Sequence, residues 1–366
     1  MKDVLVVGAG KIGSTIAEML DATGDYRVAI ADRSADQLSR LGTGPGVERL
    51  ALDIADGDAL GRALQDRFAV LSAAPYHLTG KVAEGALAAG THYLDLTEDV
   101  ATTRLVKELA RKAHSTLIPQ CGLAPGFISI VANNLASHFD RLDTVKMRVG
   151  ALPQYPSNAL NYNLTWSTDG VINEYCEPCE AIVNGALREV PPLEELEEFS
   201  LDGVKYEAFN TSGGLGTLCE TLDGKVRNLN YRTIRYPGHC AIVKMLLNDL
   251  RLRDRRDLFK DILENSLPST LQDVVVILVT VSGWQGDRFV QETYANKVYS
   301  RQIGGRVHSA IQITTASGIC TVLDMLADGT LPRTGFVRQE DIPLEAFLAN
   351  RFGKAYRNTD KAVAAA

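Results

Sequence analysis

The sequence predicts a doubly wound α/β domain built on a parallel sheet, joined to an α+β domain with a mixed or antiparallel sheet. The chain has 366 residues, which is long for one ordinary domain and comfortable for two. Up to Pro119, short apolar runs alternate with amphipathic stretches, the pattern of a parallel sheet covered by helices. After Pro119, strand patterns follow one another without a helix between each pair, which is typical of an antiparallel sheet.

The first part of the chain contains six apolar runs of strand length. They predict the strands Val4–Val7, Arg27–Ala31, Glu48–Leu52, Phe68–Ala73, His92–Leu96 and Thr116–Pro119. The amphipathic segments between them predict helices near Lys11–Thr23, Ala35–Leu41, Gly57–Arg67, Thr79–Ala89 and Val100–Ala113. Six strands joined by right-handed crossovers make a complete doubly wound sheet.

The second part begins after the turn Gly122–Gly126. Its pattern predicts a helix at Phe127–His138 and the strands Val145–Leu152, Val274–Ser282, Arg288–Tyr299 and Arg306–Ile313. Trp284–Asp287 is predicted to be a hairpin turn, and the acidic segment Pro191–Glu198 a solvated loop. A last helix, Ala316–Ala327, is expected to return the chain to the first domain. The predicted domains are therefore residues 1–122, rejoined by about 315–350, and residues 123–314.

Composition and charge exclude several classes of protein. Hydrophobic residues make up 45% and charged residues 23%, as in globular domains. The net charge of −7 argues against a nucleic-acid partner, because such proteins usually present a basic face. No apolar run approaches the roughly 20 residues that cross a bilayer, and the N-terminal apolar stretch is too short for a signal peptide. We therefore expect no membrane partner and a cytoplasmic location.

The six cysteines are expected to be reduced thiols, as is usual in proteins of this size without a signal peptide. Cys176 and Cys179 form a single CxxC pair. A structural zinc site needs two further ligands, and neither a second CxxC nor a closely spaced histidine pair supplies them. No metal site is predicted.

A glycine motif stands between the first strand and the first helix. Gly8-Ala9-Gly10-Lys11-Ile12-Gly13 has the spacing GxGxxG, and Asp32 follows about 20 residues later at the end of the second strand. This combination is the fingerprint of a Rossmann dinucleotide-binding domain. Asp32 would bind the adenosine ribose hydroxyls and repel a 2′-phosphate, which favours NAD. The adjacent Arg33 could accept that phosphate, so NADP stays open.

Each part of the motif has a physical role. Gly8 permits the tight turn, Gly10 lets the pyrophosphate approach the backbone, and Gly13 allows close packing of helix and strand. The backbone amides that start the helix, at Lys11 and Ile12, would face the phosphates. The alternative is that the glycines only form a turn and that the acidic residue is an ordinary surface carboxylate.

Two further segments are predicted to line the cofactor. Asp53 and Ile54 follow the third strand and would lie beside the adenine. Ala73, Ala74 and Pro75 follow the fourth strand, where small residues would let the backbone lie along the cofactor toward its nicotinamide end.

Five other motifs cover most of the chain. They are Gly90-Thr91-His92-Tyr93-Leu94-Asp95-Leu96, Gly122-Leu123-Ala124-Pro125-Gly126, Thr165-Trp166-Ser167, Glu207-Ala208-Phe209-Asn210-Thr211-Ser212-Gly213-Gly214 and Tyr231-Arg232-Thr233-Ile234-Arg235-Tyr236-Pro237-Gly238-His239. With these motifs the chain resembles the saccharopine dehydrogenase-like oxidoreductases, and within them the lysine 6-dehydrogenase group. The resemblance implies an NAD(P)-dependent enzyme of amino-acid metabolism that oxidises a carbon–nitrogen bond. It also implies a homodimer.

The resemblance leaves the substrate open. Cys121 and Tyr76 are similar to the corresponding positions of saccharopine reductases rather than of lysine 6-dehydrogenases. The leading prediction is oxidative deamination of L-lysine at its 6-amino group, which gives 2-aminoadipate 6-semialdehyde and its cyclic piperideine carboxylate. The alternatives are a saccharopine dehydrogenase, a carboxynorspermidine dehydrogenase, and a redox sensor that binds NAD without turnover.

Candidate catalytic residues follow strands four to six, where ligands bind in open parallel sheets. Glu98 is the first choice for the proton acceptor and Asp95 the second; a helix-terminal acid and a buried anchor are their structural alternatives. Tyr76 could form a wall or a donor at the site, or only pack there, and His77 could be a proton shuttle or a partly exposed loop residue. Cys121 is expected near the nicotinamide without acting as a nucleophile.

Candidate substrate-binding residues lie in the domain of residues 123–314, which is also the predicted dimerisation domain. Arg235 is the best match to a substrate carboxylate, and His239 could support it or act in proton transfer. Trp166 could cover the aliphatic chain, and Thr211 and Ser212 could offer hydroxyls to the amino-acid end.

A substrate with a second acidic group would need a second cation. Arg232 and Lys244 are possible suppliers of that cation.

Overall fold

The computed structural model describes residues 1–42, 44, 46–303 and 305–357. The strands in this part of the chain are β1 Lys2–Val7, β2 Tyr26–Asp32, β3 Glu48–Ala51, β4 Ala69–Ser72, β5 His92–Asp95, β6 Thr116–Ile118, β7 Arg141–Pro153, β8 Cys179–Val183, β9 Ala186–Val190, β10 Glu197–Leu201, β11 Val204–Asn210, β12 Asn228–Arg235, β13 Asp273–Gln285, β14 Arg288–Tyr299, β15 Arg301–Ile303, β16 Arg306–His308 and β17 Gly335–Phe336. The α-helices are α1 Lys11–Asp21, α2 Ala35–Ser39, α3 Gly57–Leu64, α4 Tyr76–Ala89, α5 Val100–Ala110, α6 Phe127–Ala136, α7 Thr168–Cys176, α8 Leu218–Leu222, α9 His239–Lys244, α10 Arg256–Ser266, α11 Ala310–Ala327 and α12 Leu344–Ala349.

The chain divides into two compact units. Unit 1 comprises Met1–Ile130 and Gln312–Arg357, and unit 2 comprises Val131–Ile311. The boundaries between the units fall within α6 and α11. The roles predicted for the two parts of the chain, cofactor binding and substrate binding, stay predictions.

Unit 1 contains a parallel sheet in the order β17-β6-β5-β4-β1-β2-β3. The predicted doubly wound sheet is confirmed, and β17 adds a seventh strand that the sequence pattern did not predict. The side chains of β1 and β4 are almost entirely buried from Val4 to Val7 and from Ala69 to Ser72, which is the mark of a sheet covered on both faces. β1 and β4 are neighbours in this sheet and run parallel, so their carboxyl ends lie side by side.

Unit 2 contains a mixed sheet in the order β10-β11-β12-β7-β13-β14, with β8 and β9 attached to β12. β12 and β7 run parallel, whereas the other pairs along this order are antiparallel. The mixed sheet is one of the two forms that the sequence predicted. The β13–β14 hairpin closes at Gly286, whose φ of +59° suits a glycine.

The predicted strand Arg306–Ile313 is wrong in its second half. Only Arg306–His308 forms a strand, and α11 begins at Ala310. The carboxylate of Asp273 accepts the backbone amides of Ala310 and Ile311, at 2.5 and 3.1 Å, and so caps the start of α11. A cap supplied from a distant strand leaves no local signal in the sequence.

We expect Asp273→Ala to lower the free energy of unfolding by about 1–3 kcal/mol, because it removes the acceptor of one buried and one partly buried hydrogen bond at the start of α11. Urea unfolding followed by circular dichroism measures the change. Asp257→Ala, at an exposed position in the first turn of α10, is the control and should stay within about 0.5 kcal/mol of wild type. Equal losses for both variants would contradict the assigned cap.

The predicted loop Pro191–Glu198 is also wrong in part. Strand β10 begins at Glu197, and the Leu193 side chain is only 1% exposed. The acidic side chains are held by arginines of the sheet, since Glu197 pairs with Arg148 and Arg232. Ion pairing across strands, which the local composition does not encode, explains the difference.

Helix α11 is long and apolar enough to cross a membrane by length and composition. Its mean hydropathy is 1.4, but 78% of its residues are buried inside the structure. The core helix of a folded domain passes the same test, so the evidence for a membrane span is weak.

Candidate active site

The glycine motif lies in the turn between β1 and α1, and two of its glycines are required by the protein itself. Gly8 has a φ of +101°, and a Cβ atom there would lie 2.6 Å from the Ala73 carbonyl oxygen. A Cβ atom at Gly13 would lie 1.8 Å from the Gly8 carbonyl oxygen. Gly8 therefore permits the turn, and Gly13 permits α1 to pack against it, as predicted.

Gly10 differs from both. A Cβ atom built at Gly10 meets no described atom within 4 Å, and its φ of −72° suits any residue. The protein offers no steric reason of its own for a glycine here. The open space over the start of α1 is what a bound pyrophosphate would need, so the turn fits the phosphates of a dinucleotide.

We expect Gly10→Ala to fold normally and to bind NAD at least about tenfold more weakly, which corresponds to about 1.4 kcal/mol. The added methyl group would occupy space needed by the pyrophosphate. Titration of protein fluorescence with NADH measures binding, and urea unfolding measures stability. Gly13→Ala is the contrasting variant and should lower stability through its clash with Gly8. Unchanged NADH affinity in Gly10→Ala would show that the phosphates bind elsewhere.

The Asp32 carboxylate, at the end of β2, hydrogen-bonds to the glycine turn. One carboxylate oxygen accepts the Ala9 amide at 2.8 Å, and the other accepts the Ser34 amide at 2.8 Å. A carboxylate has about four acceptor sites, so it retains capacity for ribose hydroxyls. The Arg33 side chain is exposed and makes no hydrogen bond or ion pair with any described residue, which leaves it able to take a 2′-phosphate.

The other predicted cofactor residues follow the carboxyl ends of β3 and β4 in the same sheet. The Ala73 amide donates to the Val7 carbonyl at 2.8 Å, which fixes the turn after β4 beside the glycine turn. Pro75 is the residue before α4. Asp53 is exposed and accepts the Ala55 amide at 2.9 Å, whereas Ile54 packs against the core. Their contacts with a cofactor stay predictions.

Glu98 lies at the carboxyl end of β5 with a carboxylate that hydrogen-bonds to none of the described residues. It is half-buried. Burial, and then the charge of Asp99, raise the pKa of Glu98 to about 7. Asp99 is the residue that caps α5, because its carboxylate accepts the Thr102 amide at 2.7 Å. Asp99, rather than Glu98, therefore caps the helix, and the role of Glu98 as a proton acceptor stays a prediction.

Asp95, by contrast, is a buried anchor. One oxygen accepts the amides of Gln120 and Thr97, at 2.8 and 3.0 Å, and the other accepts the Tyr93 hydroxyl at 2.7 Å. Burial raises the pKa of Asp95 to about 6, although these three donors act in the opposite direction. The carboxylate joins the ends of β5 and β6, which favours the structural role that was the alternative to catalysis.

Tyr76 and His77 form the first turn of α4 and are exposed. Their rings lie edge to face with centroids 5.6 Å apart. No hydrogen bond joins either side chain to a described residue, so both remain able to contact a ligand.

Cys121 follows β6 and is 1% exposed. Its thiol donates to the Ile118 carbonyl, and the Gln339 amide lies 3.3 Å from its sulfur. Burial, and then Asp95, raise the pKa of the Cys121 thiol, which favours its protonated form; that it does not act as a nucleophile stays a prediction. The sequence pattern did not reveal Gln339, which is distant in the chain.

Arg235 lies at the end of β12 in unit 2 and is 2% exposed. Its Nη1 atom donates to Thr233 Oγ1 at 2.7 Å and to the Ile234 carbonyl at 2.8 Å. Its Nε atom donates to Tyr175 Oη at 2.9 Å. No carboxylate of the described residues lies within 4 Å of this guanidinium. Glu174 acts on Arg235 only from beyond ion-pair distance, so this buried cation has no direct carboxylate contact, and an anionic ligand would stabilise it.

His239 contacts the same tyrosine at the start of α9. Its Nε2 atom lies 3.0 Å from Tyr175 Oη, and its Nδ1 atom lies 2.9 Å from the Leu160 carbonyl oxygen. Burial, and then the positive charge of Arg235, lower the pKa of His239 to about 3. It is therefore neutral at physiological pH, which favours support of Arg235 over proton transfer.

Helix α7, which the sequence analysis missed, brings the other predicted residues of unit 2 together. Trp166 precedes α7 and is half-buried, with its indole over Gly170. The Ser212 amide donates to the Glu174 carbonyl of α7 at 3.1 Å. The buried Thr211 hydroxyl has no partner among the described residues. The Ser167 cap, whose hydroxyl accepts the Gly170 amide at 3.2 Å, was the available signal for this helix.

The two cations considered for a second acidic group are already paired. Arg232 binds Glu195 and Glu197, at 2.5 and 2.9 Å, and Lys244 binds Glu194 at 2.7 Å. Neither is a spare cation in this structure.

The described residues contain no group of three or more histidine, cysteine, aspartate or glutamate side chains placed to hold a metal ion. Cys176 and Cys179 are both buried free thiols.

Two family models match the chain in succession. The saccharopine dehydrogenase NADP binding domain matches residues 4–118, and the saccharopine dehydrogenase C-terminal domain matches residues 122–354. The chain therefore belongs to the saccharopine dehydrogenase family of oxidoreductases, and the predicted family is confirmed. A nicotinamide cofactor is supported by the first of these domains.

Individual relatives agree with this assignment. The saccharopine dehydrogenase [NADP(+), L-glutamate-forming] of Saccharomyces cerevisiae is 27% identical over 177 residues, which cover 47% of this chain and 40% of the relative. The mitochondrial alpha-aminoadipic semialdehyde synthase of Bos taurus is 23% identical over 309 residues, which cover 77% of this chain and 31% of the relative. The chain thus aligns with less than half the length of these relatives.

A solved structure shows the same fold. Apo saccharopine dehydrogenase (L-Glu forming) from Saccharomyces cerevisiae superposes with a TM-score of 0.80 and 18% sequence identity. The superposition covers 95% of this chain and 97% of that one. The predicted pairing of a Rossmann-type parallel sheet with a second, mixed sheet is confirmed.

Proposed function

We propose that the protein oxidises a carbon–nitrogen bond of a lysine-derived amino acid, with NAD as the preferred hydride acceptor. The observation that carries this proposal is Arg235, a buried guanidinium with no carboxylate of the described residues within 4 Å. A substrate carboxylate matches that guanidinium in charge and in planar geometry.

The cofactor and the residues of the protein then have separate roles in the reaction. The nicotinamide, when bound, supplies a hydride acceptor. Glu98 takes the proton of the substrate amine, because only the neutral amine can release a hydride from its carbon. The carbon–nitrogen single bond becomes an imine as the hydride leaves with its electron pair. Water then adds to the imine carbon, the carbon–nitrogen bond breaks, and an aldehyde is released together with an amine, or with ammonia where the substrate is a primary amine.

Saccharopine is the first candidate substrate, since the relative from Saccharomyces cerevisiae is named as a saccharopine dehydrogenase. Oxidation at carbon 6 of its lysyl part would release L-glutamate and 2-aminoadipate 6-semialdehyde. L-Lysine is the second candidate, because it lacks the additional carboxylates of saccharopine. Arg232 and Lys244, the cations considered for such carboxylates, are paired with glutamates.

The test is NADH or NADPH formation, followed at about 340 nm, with saccharopine, L-lysine and carboxynorspermidine. Turnover of saccharopine, or of lysine, with NAD supports the proposal and selects the substrate. Binding of NAD without turnover of any of the three would favour a redox sensor and overturn the proposal.

We also propose a homodimer, measurable by light scattering, and a cytoplasmic location.

A further inference from the structure

The Arg235 guanidinium is held by a chain of three hydrogen bonds. Arg235 Nε contacts Tyr175 Oη, Tyr175 Oη contacts His239 Nε2, and His239 Nδ1 contacts the Leu160 carbonyl, at 2.9, 3.0 and 2.9 Å. None of the three side chains is more than 2% exposed. Solvent therefore cannot replace a bond that is lost from this chain.

The direction of each bond follows from chemistry. A carbonyl oxygen only accepts, so Nδ1 of His239 must carry a proton. The ring is neutral, because burial and then Arg235 lower its pKa to about 3, and Nε2 is therefore an acceptor. The Tyr175 hydroxyl must then donate to Nε2, which leaves its oxygen lone pairs to accept from Arg235 Nε. Each of these three hydrogen bonds therefore has one donor and one acceptor.

This arrangement leaves one edge of the guanidinium available. Nη1 is occupied by Thr233 Oγ1 and the Ile234 carbonyl, and Nε is occupied by Tyr175. Nη2 hydrogen-bonds to none of the residues that the structure describes. The ring of Tyr162 lies 5.2 Å from the guanidinium carbon and restricts its movement further.

We propose that Tyr175 is a positioning residue for substrate recognition, oriented by His239, which holds Arg235 so that Nη2 donates to one substrate carboxylate. This inference rests on the proposed amino-acid substrate. It assigns His239 to the support of Tyr175 and gives it no proton-transfer role. A guanidinium fixed at two of its three nitrogens loses little freedom when the carboxylate binds, which favours affinity for one geometry.

The decisive experiment compares Tyr175→Phe with wild type on two substrates: the substrate that is turned over, and its analogue with hydrogen in place of the α-carboxylate. For the carboxylated substrate we expect KM to rise about tenfold or more, with kcat within about twofold. For the analogue, the two proteins should behave alike. Equal losses on both substrates, or a loss in kcat alone, would overturn the positioning role.

Matched variants separate this role from general destabilisation. Tyr236→Phe removes a partly buried tyrosine bond of the same unit, to the Pro153 carbonyl at 2.9 Å, without removing a contact of Arg235. It should leave KM unchanged. His239→Gln keeps an acceptor for Tyr175 and should stay closer to wild type than His239→Leu, which removes that acceptor. If Tyr175→Phe does not fold, the comparison between these two His239 variants decides the question.

Failure of the proposed function remains distinguishable. If wild type turns over none of the substrates, glutarate is titrated as a carboxylate probe and thermal unfolding is recorded. Weaker stabilisation of Tyr175→Phe than of wild type by glutarate would support the positioning role even so. Equal stabilisation of both proteins would overturn it.

Discussion

Replacing Glu98 by glutamine is expected to lower kcat by about 10²–10⁴-fold, the usual contribution of a general base. Glutamine keeps the size of the side chain but cannot accept a proton. The wild-type kcat/KM should fall as the pH drops below about 7, because the raised pKa of Glu98 leaves the carboxyl protonated there. That acidic limb should be absent in Glu98→Gln. Initial rates between about pH 5 and 9 measure both effects.

Asp95→Asn is the matched control for Glu98→Gln. The asparagine oxygen can still accept the Gln120 and Thr97 amides, and its amide can donate to the Tyr93 oxygen. We therefore expect kcat within a few-fold of wild type. A large loss in Asp95→Asn together with near-normal activity in Glu98→Gln would mean that Asp95, and not Glu98, is the proton acceptor.

Replacing Arg235 by lysine is expected to lower kcat/KM by about 30- to 4,000-fold, equivalent to about 2–5 kcal/mol for a buried charge pair. Lysine keeps the positive charge but loses the bonds to Thr233 and Tyr175 and the planar edge that faces a carboxylate. The loss should appear mainly in KM. Steady-state kinetics with the carboxylated substrate measures it, and NAD binding should be unaffected.

Arg232→Lys provides the control for Arg235→Lys, since Arg232 lies three residues earlier on β12 and is paired with Glu195 and Glu197. Its kcat/KM is expected to stay within a few-fold of wild type. Similar losses in both variants would mean that damage to the sheet, rather than loss of a substrate contact, explains the Arg235 result.

The sequence predicted the parallel sheet well because its signals are local. Strands β1 and β4 are short, largely apolar runs, and the glycine motif lies within a few residues of the strand and helix that it joins. The positive φ at Gly8 and the closeness of Gly13 to the Gly8 carbonyl oxygen belong to that turn, whereas the contact of Gly8 with Ala73 depends on the neighbouring strand. The location of Glu98 at the end of β5 could be predicted for the same reason.

The parts that could not be predicted depend on residues far apart in the chain. The start of α11 is capped by Asp273, and the acidic segment around Glu197 is ordered by Arg148 and Arg232. Arg235 could be chosen as a cation from its type and motif. Its support by Tyr175, 60 residues away, depends on the tertiary fold and has no signature in the local pattern.

The central claim, oxidation of the carbon–nitrogen bond at carbon 6 of the lysyl part, is tested most directly by following the hydride. Saccharopine and L-lysine, each carrying deuterium at carbon 6, are incubated with NAD and the protein, and the reduced cofactor is examined by mass spectrometry. We predict that one deuterium per turnover appears in the reduced nicotinamide with at least one of these substrates. Reduced cofactor without deuterium, or no reduction with either substrate while NAD binds, would contradict the account.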